Sequence, residues 1–225
     1  MKTLGVLGGM GPAATVAFLA RVQALTPGPN SPTGGDADHI RVVMDMNPQV
    51  PDRNTRPGEA EAELGRMAER LKAAGAQVLA MPCNTAHAQK PGIVAAGLPF
   101  IDMIAATVAA AKGYDARSIG ILATPGGEAL YVAALMAAGV KPVVLQGEDR
   151  AAFMACVYGV KRGDVGVDNR AAMARLAEAL NVAGADAVIA GCTEVPLLLD
   201  AADVSVPLVD SAEVLAKDCV RACID

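Results

Sequence analysis

Two cysteines stand in matching surroundings 109 positions apart. Cys83 lies in Met81 Pro82 Cys83 Asn84 Thr85 Ala86 His87, and Cys192 lies in Gly191 Cys192 Thr193 Glu194. A thiol at a strand end beside a helix N-terminus has a lowered pKa, because backbone N–H groups and the helix dipole favour the thiolate. One thiolate and one thiol on opposite faces of a substrate form a base and an acid, a geometry suited to inversion at carbon. Asn84, Thr85 and Thr193 add hydroxyl, amide and backbone donors for a carboxylate and for the enolate-like charge of a deprotonated carbon.

The match is wider than the two cysteines. Residues 74–85 align with 183–194 at that one offset, Leu98 to Asp102 echoes Val206 to Asp210, and Leu4 to Gly8 echoes Ile119 to Ala123. The chain reads as two copies of one half. Apolar runs of four to six residues alternate with longer Ala-rich stretches of helical period, the βαβ pattern of an α/β protein. Strands are predicted at Thr3 to Leu7, Ile40 to Met46, Gln77 to Met81, Phe100 to Ile101, Ser118 to Ala123, Pro142 to Leu145, Ala187 to Ala190 and Leu208 to Val209. Helices are predicted at Pro12 to Leu25, Gly58 to Ala74, Met103 to Ala111, Ala129 to Ala138, Asn169 to Ala183 and Ser211 to Cys223. Gly75, Gly139 and Gly184 fall where helices stop. The expected architecture is two pseudosymmetric α/β domains, each a short parallel sheet flanked by helices. The first covers residues 1–110, with 207–225 packing back on it, and the second covers 111–206. Ligands collect beyond the carboxyl ends of parallel strands. Each half places its duplicated Cys there, so the expected active site is an interdomain cleft with opposed thiols.

Composition narrows the class. The 225 residues carry five Cys, two His, no Trp and a net charge of −5. An odd number of scattered cysteines is not a secreted disulfide framework, so reduced thiols are expected. Mixed charge and a pI near 5.1 offer no basic stripe for nucleic acid. Mean hydropathy is +0.36, yet no apolar run reaches bilayer length, and Leu98 to Ala111 is interrupted by Asp102. Gly5, Gly8, Gly9, Gly11 and Pro12 would break a signal-peptide helix, so a cytoplasmic location without membrane association is expected.

Three blocks carry a family resemblance: Leu7 Gly8 Gly9 Met10 Gly11 Pro12, Met81 Pro82 Cys83 Asn84 Thr85 Ala86 His87, and Gly191 Cys192 Thr193 Glu194 Val195 Pro196 Leu197 Leu198. In content and order they resemble the signature blocks of the aspartate/glutamate racemase family, nearest its aspartate racemases. The resemblance spans essentially the whole chain. It implies cofactor-independent racemisation of an acidic amino acid by Cys83 and Cys192 at a pseudosymmetric interface, usually in a homodimer. It also implies that the substrate's side-chain carboxylate meets Arg53, in the loop Asn47 to Arg53, and Lys161, in an equivalent loop Tyr158 to Gly163. Arg53 and Arg162 are repeat mates, so both loops are cationic. Met10, Gly11, Asn84, Thr85, Thr124, Thr193 and Glu194 complete the expected substrate contacts. The stretch Thr124 Pro125 Gly126 Gly127 Glu128 departs from the pattern, since Gly127 stands where a hydroxyl is usual.

Other readings compete at several positions. Gly9 Met10 Gly11 Pro12 Ala13 Ala14 has the outline of a dinucleotide turn, but no acidic residue ends a second strand at the required distance. Cys83 with His87, and Cys192 with Glu194, do not form a closed zinc set by spacing. His87 is expected to orient the loop or support a thiolate. Glu194 is read as a hydrogen-bond partner in the site or a capping acid. Cys156, Cys219 and Cys223 are expected in the core. Thr26 to Asp38 reads as a surface loop, and Pro48 to Pro57 as a connector or a loop closing over substrate. Racemisation of glutamate, of several amino acids or of a hydantoin-like substrate on the same scaffold is the alternative within enzymes, and a non-catalytic small-ligand-binding protein is the alternative of another class, opposed by retention of both duplicated cysteines.

Overall fold

Parallel strands and helices alternate along the chain in a computed structural model that describes residues 1–26 and 34–224. The first half runs β1 (Leu4–Gly8), α1 (Pro12–Ala24), β2 (Val42–Met46), α2 (Pro57–Ala73), β3 (Val78–Ala80), α3 (Lys90–Val94), β4 (Phe100–Ile101) and α4 (Met103–Lys112). The second runs β5 (Ser118–Leu122), α5 (Pro125–Ala137), β6 (Lys141–Val144), α6 (Gly147–Lys161), α7 (Val167–Val182), β7 (Ala187–Ala190), β8 (Leu208–Asp210) and α8 (Ser211–Ile224). Two all-parallel sheets result, with strand orders β2-β1-β3-β4 and β6-β5-β7-β8. The α/β class and the paired parallel sheets are those expected from the repeat.

The chain divides into two compact units, Met1–Met103 with Ala212–Asp225, and Ile104–Ser211. Most of α4 therefore belongs to the second unit and most of α8 to the first. β8 pairs with β7 inside the second sheet, so only the helix after it joins the first unit.

In the first unit, residues of β1 and β3 point alternately to two cores, as the two-residue strand period requires. Leu4, Val6, Val78 and Ala80 meet Phe18 and Val22 of α1 and Ala212, Leu215, Ala216, Cys219 and Cys223 of α8. Leu7, Leu79 and Met81 meet Ala60, Leu64, Met67 and Leu71 of α2. Strands covered on both faces carry no polar alternation, which is why β1, β3, β5 and β7 read as plain apolar runs. In the second unit, Leu122, Val188 and Ala190 pack with Phe153, Cys156, Val157 and Val160 of α6 and Met173, Leu176 and Leu180 of α7. Cys156, Cys219 and Cys223 are buried in these cores.

The repeat is visible atom by atom. Helices α2 and α7 both end on a glycine in the left-handed region, Gly75 (φ +94°) and Gly184 (φ +93°). In each turn the next residue closes back on the helix, Ala76 N to Leu71 O at 3.0 Å and Ala185 N to Leu180 O at 3.0 Å. Gln77 and its repeat mate Asp186 then act alike. Gln77 Oε1 accepts Thr3 N–H at 3.0 Å, and Asp186 Oδ2 accepts Arg117 and Ser118 N–H at 2.9 Å. Each side chain ties the opening of β3 or β7 to the start of the neighbouring central strand.

Three elements differ from expectation, the first being the short α3 (Lys90–Val94), which was not predicted. Helix α5 begins at Pro125, four residues before the predicted start, because proline at the first helical position costs no hydrogen bond. Gly127 and Glu128 are thus in the first turn of a helix, and Glu128 forms an ion pair with Arg150 of α6. The larger miss is α6, where Tyr158 to Gly163 was expected to be a loop. The run Val157 Tyr158 Gly159 Val160 is poor in helix formers. Gly159 is required there by packing: a Cβ would lie 2.7 Å from Asn169 Nδ2, which donates to Cys156 O and to Asp164 O. The stretch Thr26 to Asp38 lies partly outside the described residues; within it, Asp36–Asp38 form a single 3-10 turn.

Candidate active site

Each unit gathers its share of the expected site residues at the carboxyl ends of its strands. In the first, Met10 and Gly11 follow β1, Arg53 lies in the loop after β2, and Cys83, Asn84 and Thr85 follow β3. Met10, Val50 and Cys83 are buried in one apolar cluster. In the second, Thr124 follows β5 as the residue preceding α5, Lys161 ends α6, and Cys192, Thr193 and Glu194 follow β7.

The turn after β1 is built by residues that motif reading passed over. Thr15 Oγ1 accepts Gly9 N–H and donates to Gly11 O, both at 3.0 Å, holding the backbone around Met10. Gly9 has φ +98°, and a Cβ on it would lie 2.5 Å from the backbone carbon of Asn47. That close approach brings the start of the Arg53 loop against the β1 turn. Asn47 N–H donates to Gly8 O at 3.1 Å, and Asn47 Nδ2 donates to Glu63 Oε1 at 3.1 Å. Glu63 also binds Arg66 and Arg70, and Arg70 binds Asp45. The Arg70 hydrogen bond is the main reason the Glu63 carboxyl lies below its ordinary value. Acids and bases three to seven residues apart on α2, with Asp45 at the end of β2, were the available sequence signal.

Arg53 sits in a turn fixed by Asp52, whose Oδ1 accepts the N–H groups of Asn54 and Thr55 and the Thr55 hydroxyl. These bonds hold the Asp52 carboxyl below its ordinary value. Arg53 Nε is buried and has no hydrogen-bond partner. A buried N–H without an acceptor costs about 1–3 kcal/mol, which an incoming carboxylate would recover.

Cys83 is 5% exposed. It is followed by the five-residue 3-10 segment Thr85–Gln89, which runs directly into the short α3, and Cys192 by the 3-10 turn Val195–Leu197. Neither thiol therefore stands directly at the N-terminus of a long α-helix, on whose dipole the expected thiolate was based. His87 fixes the Cys83 backbone: its ring Nδ1 lies 2.8 Å from Cys83 O, and Met103 N–H donates to Nε2 at 3.0 Å. With Nε2 accepting, the proton sits on Nδ1 and the imidazole is neutral; burial pushes its pKa down. The ring also packs on Phe100, with centroids 5.4 Å apart. His87 is thus a positioning residue for the loop, tying β3 to the start of α4.

Cys192 is 7% exposed, and its Sγ donates to Glu194 Oε2 at 2.9 Å. The Thr193 hydroxyl reaches the same oxygen at 3.4 Å. Glu194 is itself buried. Gly191 has no room for a side chain, since a Cβ would lie 2.7 Å from the fully buried Tyr131 ring of α5. Lys161 is exposed at the end of α6, with Nζ 5.9 Å from the Tyr158 ring centroid. It lies on a helix, where a loop was expected. Among the described residues no three His, Cys, Asp or Glu side chains gather as a metal-binding group, and no helix is long and apolar enough to cross a membrane.

The profile of the Asp/Glu/Hydantoin racemase family matches residues 7–219. The chain belongs to that family, which places it among the amino-acid racemases. It is 26% identical over 224 residues to the broad specificity amino-acid racemase RacX of Bacillus subtilis (strain 168), covering 96% of each chain. To the glutamate racemase of Synechococcus sp. (strain CC9605) it is 30% identical over 164 residues, 70% of this chain and 59% of the relative. The Picrophilus torridus aspartate racemase structure superposes with a TM-score of 0.82 at 25% identity, over 99% of this chain and 94% of the other.

Proposed function

We propose that this racemase inverts an acidic amino acid, aspartate first, by a two-base mechanism using Cys83 and Cys192 without pyridoxal phosphate. The observation that carries the reading is the placement of one buried Cys just beyond the equivalent strand, β3 or β7, of two sheets with the same strand order. In one direction the Cys83 thiolate takes the α-proton, breaking Cα–H and forming S–H. The Cys192 thiol then delivers its proton to the opposite face of the carbanion. The roles reverse for the other enantiomer. Asn84, Thr85, Thr124 and Thr193 hold the α-carboxylate or amino group, with Met10 and Gly11 lining the site. Arg53 and Lys161 meet the side-chain carboxylate, and the buried unpartnered Nε of Arg53 supports an anionic ligand. Glu194 contacts the Cys192 thiol rather than solvent, which supports a role in holding that proton. The protein works as a homodimer in the cytoplasm, where its five thiols stay reduced.

The test is L-aspartate in D2O with no added cofactor. Deuterium entering Cα of the product enantiomer supports the reaction, and loss of interconversion in both Cys83→Ser and Cys192→Ser assigns the pair. Wild type that exchanges no α-proton with any amino acid overturns it. A second reading, broader side-chain preference, is favoured by the near-full-length match to a relative named for broad specificity. A panel of L- and D-amino acids separates the two by whether acidic substrates lead.

A further inference from the structure

Among the described residues of the first unit, α1 and the outer strand β2 leave an apolar face to solvent. Helix α1 reads Pro Ala Ala Thr Val Ala Phe Leu Ala Arg Val Gln Ala, with Arg21 its one charge, and Arg21 lies 3.9 Å from Glu213. A helix apolar on all sides is ordinarily covered on all sides. Here Val16 is 59% exposed. Leu19, one turn further along, lines a hollow with Val22, Ile40, Val42 and Met44. Val42, Met44 and Met46 are 36%, 41% and 36% exposed, all on the α1 side of the strand. β2 is also the edge of its sheet. An apolar edge strand without a protecting bulge, proline or central lysine is a surface for strand pairing.

Backbone direction and charge select the partner. Leu4 N–H donates to Arg41 O at 2.9 Å, and Asn47 N–H to Gly8 O at 3.1 Å. Odd-numbered residues of β2 therefore turn their peptide groups to β1, and Val42, Met44 and Met46 turn theirs outward. Two copies of β2 running antiparallel about a twofold axis at Val43 set Val42 opposite the partner's Met44, each exchanging both backbone hydrogen bonds. Asp45 is held at 2.8 Å by Arg70 on the other face of the strand, and that register sets exposed Arg41 opposite the partner's Asp45 there, adding a second cation to the carboxylate. A centre at Met44 places Asp45 opposite the partner's Val43, and a centre at Asp45 opposes two carboxylates. The self-complementary register is the one centred on Val43.

We propose that the α1–β2 face is the contact between two copies of this chain, joining two four-stranded sheets edge to edge through β2. The homodimer is part of the function proposed above; the assignment of its face does not depend on the chemistry of that reading.

The experiment is sedimentation equilibrium on the full chain across micromolar concentrations, with circular dichroism confirming fold. Wild type is expected as a dimer. Met44→Lys, at an exposed position, weakens it at least tenfold. Arg41→Asp and Asp45→Arg each set like charges opposite one another twice and weaken the homodimer about tenfold. Mixing those two variants restores association, because every facing pair is then of opposite sign. A monomeric wild type, an undiminished Met44→Lys dimer, or a mixture no stronger than its components overturns the assignment. An assay of aspartate racemisation on the same samples is read separately: an inactive wild-type dimer leaves the interface standing and counts against the proposed reaction.

Discussion

Removing the His87 ring exposes how much of the Cys83 loop rests on one neutral imidazole. His87→Gln keeps a polar side chain but reaches only one of the two backbone groups now 2.8 and 3.0 Å away, Cys83 O and Met103 N. One broken buried hydrogen bond, together with the lost packing on Phe100, costs about 2–3 kcal/mol. The pH dependence is the sharper reading. The native ring is neutral with its pKa pushed below 6.5 by burial, while in the unfolded chain it titrates near 6.5. Below that pH the unfolded state binds more protons, so wild-type stability falls as pH drops from 6.5 toward the lowered native value. The limiting slope is about 1.4 kcal/mol per pH unit, and above 6.5 the contribution is flat. Protonation would turn Nε2 into a donor facing the Met103 N–H, which is why the native site resists it. Urea unfolding of both proteins at pH 7.5, 6.5 and 5.5 measures the effect as a difference, in which other titrating groups cancel. The His87→Gln deficit should shrink below pH 6.5, because only wild type loses stability through this ring. Parallel pH profiles for the two proteins would refute the neutral, doubly bonded assignment.

Further outcomes follow from the same structure. Gly92→Ala should cost about 1–3 kcal/mol or more in urea unfolding, since its Cβ would lie 2.4 Å from Glu61 O of α2. Gly58→Ala, near the start of α2 with open space around it, should be neutral or gain about 0.4–1 kcal/mol. Cys219 is fully buried with its thiol pushed well above the ordinary value by burial. Native protein treated with iodoacetamide at pH 8 should therefore leave Cys219 unlabelled, and labelling should appear only in urea, as read by peptide mass. Glu194→Ala removes the acceptor 2.9 Å from Cys192 Sγ. If that carboxylate holds the thiol, racemisation should fall about 10–100-fold and the pH–rate profile should move. Glu194→Gln, which keeps an acceptor oxygen but not the charge, should separate orientation from electrostatics.

The legible parts of this fold were those the repeat wrote twice. Helix-ending Gly75 and Gly184 and the cysteines after β3 and β7 stand at matching sequence positions because each half needs the same backbone turn. Local composition served less well where tertiary packing overrode it. α6 contains Tyr158, Gly159 and Val160, weak helix formers, yet the close fit of Asn169 against Gly159 holds the segment helical to Lys161. Pro125 Gly126 Gly127 looked like a loop because Gly is rare inside helices, but proline at the first helical position started α5 there. The supports of the candidate site were the least visible. Thr15 bonds the β1 turn just before it, Asn47 and Tyr131 act by contacts with distant parts of the chain, and no spacing announces any of them.

The two cysteine loops diverge in the side chains that follow each thiol. Two thiols in identical surroundings that shared one proton would hold it equally on either sulfur, whereas unlike surroundings favour one of the two arrangements. The repeat supplies equal strand positions, but the residues after each Cys differ. His87, four residues beyond Cys83, bonds the Cys83 carbonyl and contributes a neutral ring. Glu194, two residues beyond Cys192, accepts a hydrogen bond from the thiol itself. A carboxylate beside sulfur favours the protonated thiol over the thiolate by like-charge repulsion. In the proposed mechanism Glu194 would therefore bias the pair toward a protonated Cys192, the form that donates when Cys83 is the base. Glu194→Gln should accordingly slow the two directions unequally under saturating substrate. Equal losses in both directions would mean that the asymmetry lies elsewhere.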